Sequence, residues 1–106
     1  MSRPQRPAPA DWVGIDVSQD TPDACALPPA GGKPRFATFA NDPAGHAALA
    51  AWADEATRGA PLGFCLESTG AYGEALATAL ARDGRHVAVV NPARVKYDGL
   101  MRGRGD

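Results

Sequence analysis

Hydrophobic positions alternate with polar ones in the first third of the chain and switch between helical and strand periods afterwards. Val13, Ile15 and Val17 interleave with Gly14 and Asp16, the period of two that gives a strand two unlike faces. A second strand is predicted over 23–27, where Pro28 and Pro29 stop it, and "AGGK" turns the chain into a third over 34–40, so the three form an antiparallel meander. In "NDPAGHAALAAWADEATRGAP" the period becomes helical. Asp42 suits an N-cap, Pro43 the first helical position, and Leu49, Trp52, Ala53 and Ala56 share one side until Gly59 and Pro61 end the helix. "PLGFCLESTG" reads as a buried strand with Leu62, Phe64 and Leu66 on one face and Gly63, Cys65 and Glu67 on the other. A second helix follows in "STGAYGEALATALARDG", with Tyr72, Leu76, Ala79 and Leu80 inward and Gly84 closing it. Residues 87–90 form a short apolar strand, after which Asn91 as cap and Pro92 as first residue begin a basic helix.

The order is therefore βββ-α-β-α-β-α without internal repeat. Strand–helix–strand crossovers are right-handed and join parallel strands, so 62–67 and 87–90 should run parallel to the first strand in a mixed α/β sheet flanked by helices. Residues 1–11, rich in Pro, Ala and Arg, read as a flexible tail, and residues 12–106 as one small domain.

This arrangement gives two carboxylates a common address. Sites in open α/β sheets form at the carboxyl ends of neighbouring parallel strands, and Asp16 and Glu67 both occupy such ends. Each shares its face with a glycine, Gly14 or Gly63, that leaves room beside it. Two acids at close range repel unless a divalent cation lies between them, and oxygen ligands suit Mg2+ or Mn2+. Separate structural roles, Asp16 capping a turn and Glu67 accepting backbone hydrogen bonds, would account for each acid alone.

Composition narrows the setting. Apolar residues make up 44% and charged residues 22%, the balance of a folded globular domain. No apolar run reaches the roughly 20 residues of a membrane-spanning helix, and the opening segment has no secretory apolar core, so the expected compartment is the cytoplasm. Cys25 and Cys65 form no CxxC pair and read as free thiols. His46 and His86 lack metal-ligand spacing, and Trp12, Trp52 and Tyr72 are expected to pack the core rather than stack bases. The net charge of −1 conceals a basic end: Arg82, Arg85, Arg94, Lys96, Arg102 and Arg104 stand against three Asp after residue 81. A solvated helix face explains those charges, and contact with phosphate is the alternative, with Arg94, Lys96, Arg102 and Arg104 as its candidate residues.

The stretches "VGIDVSQDTPDACALP", "FANDPAGHAALAAW", "CLESTGAYGEAL" and "VVNPARVKYDGLMRGRG", in this order over about residues 12–105, resemble the N-terminal domain of the DEDD transposases of bacterial insertion sequences, recombinases that use a bridge RNA. The resemblance implies a ribonuclease H-like (RuvC-like) fold and a metal site of three aspartates and a glutamate, with Asp16 matching the first aspartate and Glu67 the glutamate. The other two aspartates follow the "GRG" stretch in a Lys-Thr-Asp-type segment that this chain lacks, and Asp106 stands a few residues too early for either. The serine nucleophile belongs to a second domain, so neither Ser18 nor Ser68 inherits that role. Gln19 replaces a lysine, and Asp98 stands where an aromatic or apolar residue is expected. The implied reading is a catalytic-domain fragment of a DNA transposase, cutting and transferring strands with Mg2+ or Mn2+ in the intact protein and inactive alone. Its implied partners are DNA, a guide (bridge) RNA and further copies of itself. A non-catalytic binding module or relic of the same fold is the alternative. A kinase-type nucleotide-binding relative is weaker, because "VSQDTPD" has no glycine for a phosphate loop.

Overall fold

The computed structural model of the chain describes residues 6–17, 21–27, 32–68 and 72–90. Five strands and two helices follow one another as β1 (Asp11–Val17), β2 (Asp23–Ala26), β3 (Arg35–Thr38), α1 (Pro43–Ala56), β4 (Leu62–Ser68), α2 (Glu74–Arg82) and β5 (His86–Val90). They form one sheet of order β3-β2-β1-β4-β5, with β1 at its centre. β2 and β3 pair antiparallel, as a meander must, while β4 and β5 run parallel to β1, as the two helical crossovers require. The expected third helix, after Asn91, lies outside the described residues.

Both described helices cover the same face of the sheet. Val13, Ile15 and Val17 of β1, Phe64 and Leu66 of β4, Leu49, Ala53 and Ala56 of α1, and Leu76 and Leu80 of α2 belong to one buried cluster. Each large aliphatic or aromatic side chain so removed from water contributes about 1.5–3 kcal/mol, which is what holds these two layers together. Among the described residues the opposite face carries no helix. Along β1 burial alternates strictly, so Gly14 and Asp16 are exposed while Val13, Ile15 and Val17 are buried.

Local chemistry explains the helix limits. Asp42 caps α1 by accepting from the Gly45 amide at 2.7 Å, Pro43 takes the first turn where no amide is needed, and Arg58 and Gly59 at φ 54 and 75° terminate it. Gly84, at φ 77°, closes α2 as predicted, because a left-handed residue there lets the chain reverse without a Cβ clash. The helix itself begins at Glu74, so Tyr72 precedes it and is 45% exposed instead of facing inward. Trp12 also leaves the core: it lies on the uncovered face, 49% exposed, its ring against Gly63. Trp52 packs edge-to-face on Phe39 with ring centroids 5.7 Å apart, at the border of the core.

The described part of the expected tail is held in place. Arg6 pairs with Asp83 at 2.9 Å, its backbone carbonyl meets His86 Nε2 at 2.8 Å, and Ala10 donates to the Pro61 carbonyl. Arg85 completes this corner. Its guanidinium is buried, grips both oxygens of Asp54 at 2.6 and 2.7 Å and reaches Asp83 through Nε at 3.0 Å. The Asp54 hydrogen bonds raise its pKa against the opposing effect of burial.

Candidate functional site

The parallel register of β1 and β4 pairs Asp16 directly with Glu67, so their backbones stand one strand spacing, about 4.8 Å, apart. Both residues point away from the helices, by the alternation that buries Val17 and Leu66 on the other side. The same row continues across the sheet: Asp23 of β2 lies beside Asp16, Thr38 of β3 beside Asp23, and Val90 of β5 beside Glu67. Three acids on three adjacent strands thus cross the carboxyl edge of the sheet. They open onto a cleft of about 490 Å3 whose walls include Gly14, Cys65 and Val90.

Asp23 is the acid that the sequence pattern did not reveal. Its placement depends on the β1–β2 register, which no periodicity fixes, and its carboxylate is already engaged by the Thr38 hydroxyl. Asp16 and Glu67 differ from it in that their carboxylates have no hydrogen-bond or ion-pair partner among the described residues. Asp16 is exposed, water solvates it, and no partner is required to make its charge tolerable. What the register adds is proximity, since two like charges on adjacent strands destabilise each other.

The glycines on this face differ from each other. A Cβ at Gly14 would meet nothing within 4 Å, leaving open space beside Asp16, whereas one at Gly63 would strike the Trp12 ring at 2.6 Å. The room expected at Gly63 is therefore filled by the indole. Cys25 and Cys65 flank Gly14 in the next row, free and two strand spacings apart, too far for a disulfide.

Other candidates fall elsewhere. His46 is buried and bonded to Asn41, with burial lowering its pKa against the opposing charge of Asp42, and His86 bonds the Arg6 carbonyl. A larger cavity of about 1050 Å3 lies between α1 and α2, on the face remote from the acid row. Arg94, Lys96, Arg102, Arg104, Asp98 and Asp106, with Ser18 and Gln19, lie outside the described residues, and Ser68 is placed only as the end of β4.

The donor set fits a hard divalent cation in part. Adjacent, exposed, unpaired carboxylates supply oxygen ligands of the right kind, but no group of three or more His, Cys, Asp or Glu converges as a metal site among the described residues. Among the described residues Asp16 and Glu67 are a pair of oxygen donors and not a complete coordination shell.

An antiparallel meander leading into two parallel crossovers around a central first strand defines a ribonuclease H-like α/β domain. Within that class, a family model described as Transposase, for DEDD transposases of the IS110 type, matches residues 13–105, and the chain belongs to that family. No curated protein matches the chain at a significant level. Membership makes DNA the partner of the intact transposase and a divalent metal its general requirement. No helix among the described residues is long and apolar enough to cross a membrane.

Proposed function

We propose that Asp16 and Glu67 are the first two ligands of the divalent-metal site with which the intact transposase cuts and joins DNA strands. One observation carries this reading: two exposed carboxylates, without a partner among the described residues, are register partners on adjacent parallel strands at the carboxyl edge of the sheet. A metal held there would lower the pKa of a bound water or hydroxyl and stabilise a leaving oxygen. The chain's own contribution is to keep the two carboxylates side by side on rigid strands and to leave the space over Gly14 open for a DNA backbone. A pair of oxygen donors binds weakly, because Mg2+ dehydrates reluctantly and keeps its waters until further oxygen ligands arrive. The residues described here therefore do not catalyse strand transfer alone. Further acids, the nucleophile, the bridge RNA and additional copies belong to the intact assembly, in the cytoplasm. Arg94, Lys96, Arg102 and Arg104 are the residues of this chain suited to DNA phosphate.

The test is Mn2+ binding, followed by paramagnetic resonance and by the shift in melting temperature, on the wild type, Asp16→Asn and Glu67→Gln. Weak binding by the wild type, lost in both variants with melting temperatures unchanged without metal, is expected. Wild type without any Mn2+ effect, or variants that bind as well as it does, would leave a nucleic-acid-binding module without metal chemistry as the better reading.

A further inference from the structure

The stretch "NDPAGH" does more than start a helix. Its residues build a rigid bracket on the same sheet edge as the acid row. β3 runs parallel to β1, so Asn41 lies just beyond the carboxyl end of β3, three residues past Thr38. Tyr72 lies five residues past Glu67, beyond the carboxyl end of β4. Both chain exits leave from members of one row, and a side chain joins them: Asn41 Nδ2 donates to the Tyr72 carbonyl at 2.9 Å.

The orientation of that amide is fixed by chemistry. A backbone carbonyl only accepts, so the NH2 end of Asn41 must face Tyr72 and its Oδ1 must face His46, whose Nε2 lies 2.7 Å away. His46 Nε2 therefore carries a proton and donates it. His46 is 6% exposed on the first turn of α1, where its backbone amide is bonded to the Asp42 carbonyl. Beside it, Gly45 packs its Cα directly on the Ala40 backbone, an approach that any Cβ would prevent. Burial of the imidazole favours the neutral ring, which retains a single N–H for this bond. Three residues thus aim one amide at one carbonyl.

We propose that Asn41, oriented by His46, is a positioning residue that pins Tyr72 at the entry to α2, on the sheet edge where Glu67 lies, and so steadies Glu67. Its value to catalysis rests on the metal reading above; its mechanical role does not.

The experiment is backbone NMR relaxation and Mn2+ titration on the 106-residue chain and four variants. Asn41→Ala and His46→Leu break the bracket, His46→Gln keeps a donor for Asn41, and Thr57→Val removes a hydrogen bond to Ala53 at the far end of α1 as a control for general destabilisation. In Asn41→Ala and His46→Leu the order parameter of the Tyr72 amide is expected to fall from about 0.85 to below about 0.6, with the Glu67 amide shifted. His46→Gln and Thr57→Val should leave both amides as in the wild type. Mn2+ affinity should weaken about tenfold in the first two variants only, as for the loss of a residue that orients a metal ligand. An unchanged Tyr72 or Glu67 amide in Asn41→Ala, or the same loosening in Thr57→Val, would overturn the inference. A wild type that ignores Mn2+ while Asn41→Ala still loosens both amides would overturn the metal reading and leave the bracket standing.

Discussion

Removing Asp54 should cost more stability than removing Arg85, although the two residues share one ion pair. Arg85 keeps only 5% of its side chain exposed, with Asp54 on both terminal nitrogens, Asp83 on Nε, and the Phe64 ring centroid 5.7 Å from its central carbon. Asp54 is 42% and Asp83 30% exposed, and Asp83 also holds Arg6. Arg85→Met keeps an unbranched stem over Phe64 and leaves behind two acids that water can reach. Asp54→Ala leaves a buried cation with half its partners gone. Breaking a buried pair in that way costs about 3–5 kcal/mol, but the exposure of Asp54 and the surviving Asp83 contact reduce it to roughly 2. Arg85→Met should cost about 1 or less, because the desolvation that the arginine required disappears with it. In a domain of this size those losses lower the melting temperature by roughly 8–16 °C and by less than about 8 °C. The Asp54 hydrogen bonds raise the Arg85 pKa, so the stabilisation from its charge is fully present below the ordinary arginine range and is lost only as the pH rises beyond it. Urea unfolding at neutral pH therefore reads the network intact. The double variant completes a cycle, in which Asp54→Ala should cost almost nothing once Arg85 is methionine. Equal losses from the two single variants, or the same Asp54→Ala cost in both backgrounds, would refute the argument.

Two other expectations follow from α1. Gly45→Ala should destabilise by about 1–3 kcal/mol in urea melts, because the new Cβ meets the Ala40 backbone, with its carbonyl carbon at 2.6 Å, and a backbone clash outweighs the roughly 1 kcal/mol of helix propensity gained. Burial lowers the His46 pKa, so below 6.5 the unfolded chain takes up the proton first and stability falls with pH; the slope, at most about 1.4 kcal/mol per pH unit, should flatten in His46→Gln between pH 7 and 5.5, and equal slopes would refute it.

What could be read from the sequence was whatever a period encodes. Alternation set Val13, Ile15 and Val17 against Gly14 and Asp16, helical spacing placed Leu49, Ala53 and Ala56 inward, and the handedness of crossovers made β4 and β5 parallel to β1. Registers and ring positions have no period. Asp23 beside Asp16 follows from where the β1–β2 turn closes, and Trp12 lies over Gly63 because the parallel register sets a bare backbone next to it. Tyr72 shares the helical spacing of Leu76 and Leu80, but α2 begins at Glu74, which frees the Tyr72 carbonyl for Asn41. The Asn41–Tyr72 bond of the bracket joins residues 31 apart in the chain, a link that hydrophobic spacing cannot detect.

Exposure and placement bear differently on the acid pair. Asp16 is an exposed carboxylate on a sheet face that no described helix covers, and its charge needs no compensation from folding. Energetics of burial therefore says nothing in favour of a metal there. Placement is the relevant observation: Asp16 and Glu67 are adjacent because β4 follows a right-handed crossover back to the side of β1, and each is the last but one residue of its strand at the carboxyl end. Any acid at those two positions would be brought together by the same topology. The pair tolerates its mutual repulsion because water screens it, so replacing either acid should leave the fold as stable as before while removing its capacity for a cation. That separation of stability from chemistry is what a site on an open face predicts, and a structural cap would not show it.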